Sequence, residues 1–83
     1  MSRKNKKENY AVLFGFNLKD KTKTGYLQIT PSGGYSIVKD VSQASEFSTS
    51  VKAGKGSPLD WCEFFKTESN ISDWRFHPVI LTR

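Results

Sequence analysis

The chain has 83 residues, 36% of them hydrophobic and 25% charged, which makes one domain and leaves no room for a second core. No run of 18 apolar residues occurs, which excludes a membrane-spanning helix, and the single cysteine, Cys62, excludes an internal disulfide. The formal net charge of +5 lies wholly in the first 25 residues: seven cations there face only Glu8 and Asp20, whereas from Tyr26 to Arg83 six cations balance six carboxylates.

Residues 1–9 contain one apolar side chain, Met1, and cannot pack, so they are expected to form a flexible basic arm ahead of a single α+β domain over 10–83. The apolar stretch Tyr10 to Phe16 is too short for a signal peptide's core and runs into Lys19 and Asp20. It alternates instead, with Tyr10, Val12, Phe14 and Phe16 on one side and Ala11, Leu13 and Gly15 on the other. That period predicts a strand. Both sides are apolar, so the strand is covered twice or meets a partner with its second face.

Asn17 to Thr24 is polar and reads as a loop, and Gly25 to Thr30 resumes the alternation. Pro31-Ser32-Gly33-Gly34 is a turn, and Tyr35 to Val38 a third strand, which predicts an antiparallel meander. Asp40-Val41-Ser42-Gln43 has the form of a helix start, with a short turn of helix to about Phe47; the serine-rich composition leaves a loop as the alternative. Ser57-Pro58-Leu59-Asp60 places a capping serine before a proline, and predicts a helix to about Lys66 or Glu68 with Leu59, Trp61, Cys62, Phe64 and Phe65 on a wide apolar face. Trp74 to Thr82 alternates again. Pro78 cannot donate to a ladder, so this strand belongs at an edge or carries a bulge. The fold class expected is α+β: one antiparallel sheet of about four strands, β-β-β-α-β, with the main helix on one face.

Little in the chain points to catalysis. His77 is the only imidazole, Cys62 has no neighbour that would activate it, and one of each makes no zinc site. The carboxylates form no pair with acid–base spacing. The expected protein is not an enzyme and needs no cofactor or metal.

Binding is better represented. Arg3, Lys4, Lys6 and Lys7 charge the arm, and Lys19, Lys21 and Lys23 alternate along the first loop, a pattern suited to a phosphate backbone. The loop from Lys52 to Ser57, with Lys55 and two glycines, enters the predicted helix N-terminus, where an anion is favoured; the plainer reading is a flexible loop before a capped helix. Tyr26 and Tyr35, on neighbouring strands, are the candidates to stack on unpaired bases, while Phe14, Trp61, Phe64, Trp74 and Phe76 are assigned to the core. The aromatic motif of RRM domains is absent.

The arm Met1-Ser-Arg-Lys-Asn-Lys-Lys and the loop Lys19-Asp-Lys-Thr-Lys23 give the chain the style of the small accessory proteins of large tailed phages. In size and charge it resembles the toxin-inhibiting factors of T4-like phages, RNA-binding antagonists of host endoribonuclease toxins of the ToxIN type. The resemblance implies a non-enzymatic counter-defence protein, in the cytoplasm of an infected host, that inhibits a nuclease by holding RNA, the nuclease, or both. The other expectation is a protein–protein inhibitor or adaptor that uses an apolar sheet face or an edge strand without nucleic acid.

Overall fold

The computed structural model describes residues 9–50 and 54–82. Its frame is a single antiparallel sheet built on a central strand, β1 (Asn9–Asn17). Along one side β1 pairs over its whole length with β5 (Trp74–Thr82), in continuous register from Asn9↔Thr82 to Asn17↔Trp74. Its other side is shared. The end near Phe16 pairs with β2 (Thr24–Ile29), which pairs with β3 (Tyr35–Val38), and the end near Tyr10 pairs with β4, the two residues Phe47–Ser48. One α-helix, α1 (Pro58–Phe65), lies between β4 and β5 in the chain. The strand at Phe47–Ser48 is additional to the expected four. Asn9, expected in the arm, is the first residue of β1, and its side-chain carbonyl accepts from the Thr82 hydroxyl at 3.0 Å.

Local chemistry sets the boundaries. Thr30 and Gly34 close the turn after β2, with Gly33 at φ 91°, a conformation open to glycine at little cost. Asp40 accepts from the Ser42 amide and caps a single 3-10 turn, Val41–Gln43, where a longer helical turn to Phe47 was expected. The serines that follow favour such local bonds over continued helix. Helix α1 begins as its sequence predicts: the Ser57 hydroxyl accepts from the Asp60 amide at 3.2 Å, and Pro58 opens the first turn. It stops at Phe65 and gives way to turns, short of the expected Lys66 or Glu68.

The odd-numbered face of β1 is the core face. Ala11, Leu13 and Leu27 are fully buried there beside the largely buried Phe76, against Cys62 and Phe65 of α1. Phe65 is the hub, with ring centroids of Tyr35, Trp61, Phe64 and Phe76 at 5.2–6.3 Å. An eight-residue helix has little intrinsic stability, so this packing is what holds it; removing such a ring costs about 3–5 kcal/mol. Gly15 is needed for the same reason. A Cβ there would press on the Arg75 carbonyl oxygen and come within 2.6 Å of the Phe76 ring.

Pro78 sits in β5 without a bulge. The amide of Asn17 donates to Lys23 on the β2 side, so odd residues of β1 turn their backbone polar groups that way and even ones toward β5. Leu13 is therefore a non-hydrogen-bonded partner of Pro78, whose nitrogen faces the free edge. The proline costs β1 nothing and leaves a gap in the edge, which hinders addition of another strand.

Candidate nucleic-acid interface

The even-numbered face of the sheet lies opposite α1, the only α-helix among the described residues. On it Phe14 of β1 stands directly opposite Tyr26 of β2 and His77 of β5. The three rings form a row across adjacent strands, with Phe14–Tyr26 centroids 5.0 Å apart and Phe14–His77 5.9 Å, both edge-to-face. Phe14 and Tyr26 are half-buried, and His77 is exposed. Toward the start of β1, Val12 on the same face is fully buried.

One step along the strands toward the loop, Thr24, Phe16 and Arg75 form the next row. Arg75 is itself a member of that row, while Lys39, one residue past Val38 and so off the ring-face parity, reaches the row's β3 end through its ammonium. Lys39 donates through Nζ to the Thr24 carbonyl at 3.0 Å, and Arg75 donates through Nη1 to the carbonyls of Ser72 (2.7 Å) and Trp74 (2.9 Å). Among the described residues those bonds leave Nη2 and Nε of Arg75 uncommitted. The loop that joins β1 to β2 rises beyond this row and is tied down from within. Asn17 accepts from the amides of Lys19 and Asp20, and Asp20 accepts from the amide and hydroxyl of Thr22. The Thr22 hydroxyl and amide, with Lys23 nearby, hold the Asp20 carboxyl below its ordinary pKa, so it stays charged.

The expected site residues divide accordingly. Lys19 pairs with Asp73 at 3.5 Å, so part of its charge is answered, while Lys21 and Lys23 have no ion-pair partner among the described residues. Tyr26 lies in the ring row. Tyr35 does not join it: opposite Ile29 it falls on the helix face, where its ring meets Phe65 at 5.3 Å and its hydroxyl donates to Glu68 at 3.2 Å. Burial, then Glu68, raises its pKa. The expectation that Tyr26 and Tyr35 share an open surface is corrected by this register. Phe14, assigned from sequence to the core, lies instead on the face away from α1, and Phe64 and Leu59 of the helix are 43% and 60% exposed. Arg3, Lys4, Lys6, Lys7 and Lys52 lie outside the described residues.

Lys55 is exposed in the loop before α1, but the local geometry does not favour a phosphate. The Asp60 carboxylate accepts from the Gly56 amide at 3.0 Å, and the Ser57 hydroxyl takes the Asp60 amide. A shallow depression beside them is lined by Asp60 and Glu63. The helix start already holds its own anion, as the plainer reading of this loop has it.

Sequence reasoning missed Phe14, His77, Lys39 and Arg75 as site residues. The alternation around Phe14 carried the signal, because Phe14 has the opposite parity to Ala11, Leu13 and Gly15. Lys39 and Arg75 carried none, since only the sheet brings them to one row. No three His, Cys, Asp or Glu side chains gather to hold a metal among the described residues, and none of their helices is long and apolar enough to cross a membrane. No protein-family model, curated protein or solved structure matches the chain.

Proposed function

We propose that the protein is a non-enzymatic module that binds single-stranded RNA on the sheet face opposite α1. The observation that carries this reading is the row Tyr26–Phe14–His77, three rings on adjacent strands, with cations one step away. Bases stack on aromatic side chains without regard to sequence, and lysine or arginine beside them answers the phosphates. A flat platform of this kind takes unpaired bases and has nothing to offer a closed duplex, whose bases stack on one another. As an inhibitor of a host endoribonuclease, the role that the likeness to phage toxin-inhibiting factors implies, the protein would withhold RNA from the nuclease or hold the two together. Neither route needs a catalytic group. The gap at Pro78 counts against the rival in which another protein adds a strand at the β5 edge.

The test is a titration of the full chain with a labelled single-stranded RNA, the same RNA as a duplex, and the matching DNA strand. The single-stranded RNA should bind best. If about four phosphates are neutralised, its affinity should fall roughly fifty-fold between 50 and 200 mM salt. Reversing Lys21 and Lys23 to Glu should weaken it further than reversing Lys19, which already has Asp73 beside it. Equal affinity for duplex and single strand, or no salt dependence, defeats the proposal; a preference for the DNA strand changes its ligand.

A further inference from the structure

Resting on the RNA-binding reading, we infer that the strand crosses the sheet from β3 to β5, with its backbone along the row from Lys39 to Arg75 and its bases on Tyr26, Phe14 and His77, so that the site holds three nucleotides. Two paths are available on this face: along β1, or across the strands.

Rings and charges separate them. Across the strands the three rings are direct neighbours at 5.0 and 5.9 Å. Along β1 the sequence of side chains after Phe16 and Phe14 is interrupted by Val12, which is fully buried and opposite Val79. A base over that position has no ring to stack on. The cations agree. Arg75 stands in the Thr24–Phe16 row at its β5 end, and the Lys39 ammonium reaches the Thr24 carbonyl at its β3 end. Beside Val12 and Tyr10 the paired residues are Val79, Leu81 and Ser48, with no cation.

Spacing fits as well. Successive rows on one face are two residues apart, roughly 6–7 Å along a strand, a step that sets phosphate and base of one nucleotide on neighbouring rows. Sheet platforms of about four strands stack two or three bases in this way. Both end cations are anchored to carbonyls, Lys39 on Thr24 and Arg75 on Ser72 and Trp74, so little side-chain freedom remains to be lost on binding.

The experiment titrates the isotope-labelled full chain with a uridine trinucleotide and a uridine nonanucleotide and follows backbone amide resonances. The trinucleotide should shift Phe14, Tyr26, Lys39, Arg75 and His77 and leave Ser48 and Leu81 in place. Its two linking phosphates should give a slope of about −1.4 in log affinity against log salt, reduced by about 0.7 in Lys39→Glu. The inference is overturned if the nonanucleotide binds while the trinucleotide leaves those residues unmoved, or if its shifts run through Tyr10, Ser48 and Leu81 and miss Lys39. Binding of neither oligonucleotide overturns the RNA reading itself, a distinct result.

Discussion

The two tyrosines on β2 and β3 allow the faces of the sheet to be told apart in one experiment. Tyr26→Leu keeps an apolar side chain beside Phe14 but removes a ring from the row at 5.0 Å. Base–aromatic stacking is worth about 1–3 kcal/mol per base, so the RNA affinity should fall roughly 5- to 150-fold at 1.4 kcal/mol per decade. Tyr35→Phe does the reverse. It keeps the ring against Phe65 at 5.3 Å and deletes only the hydroxyl that donates to Glu68 at 3.2 Å. A part-buried bond of that kind contributes about 1 kcal/mol, and a domain of this size loses about 4–8 °C of Tm for it. Fluorescence anisotropy with one labelled RNA at fixed salt reads the first quantity, and thermal unfolding by circular dichroism reads the second. Tyr26→Leu should lose affinity beyond any effect on stability, while Tyr35→Phe should lose stability and bind RNA within twofold of the parent. If both variants bind equally well, or Tyr35→Phe weakens RNA as much as Tyr26→Leu, the ligand does not lie on the face opposite α1.

Gly15→Ala would force a methyl group against the Arg75 carbonyl and the Phe76 ring. Overpacking of that kind costs about 1–3 kcal/mol, seen as a lower midpoint in urea; an unchanged midpoint would mean that β5 moves freely away from β1. The Cys62 thiol is pushed up to about 11, first by burial and then by Glu63, with Lys66 opposing, and burial with Glu68 raises Tyr35 in the same direction. Both groups hold their protons longer in the folded chain than in the unfolded one. The Cys62 contribution is therefore whole below the ordinary thiol value of 9.0 and is lost as pH rises from there through about 11, and that of Tyr35 is whole below its ordinary 10.0 and is lost above it. Urea midpoints should hold steady up to that range and then fall, and iodoacetamide should label Cys62 far more slowly in the native than in the unfolded chain. Equal labelling rates would show an accessible thiolate.

What the sequence made legible follows the range of the forces involved. Ser57-Pro58 marked the start of α1 because capping is settled within four residues, and Pro78 marked an edge because a missing donor is a property of one residue. The alternation through Tyr10–Phe16 separated two faces correctly, yet parity alone does not say which face receives the helix. Tyr35 was misplaced for a related reason. Ile29↔Tyr35 and Tyr26↔Val38 keep one parity across the hairpin, so an even and an odd residue fall on opposite faces, and a turn altered by one residue would have reversed that. β4 went unread because a strand of two residues, Phe47–Ser48, carries no period; they are strand because β1 offers an unpaired flank below β2. The ring row lies further from view still. Phe14, Tyr26 and His77 are separated by 12 and 51 positions and meet because β1 accepts strands on both sides. Lys39 and Arg75 stand in the stretch from Tyr26 to Arg83, whose charges balance, so composition gives them no prominence. The fold sets Arg75 one step from the ring row and brings the Lys39 ammonium to the edge of the same step, beside the charged loop that composition did reveal, and that convergence makes the face opposite α1 a better candidate interface than either the basic residues or the aromatic ones considered alone.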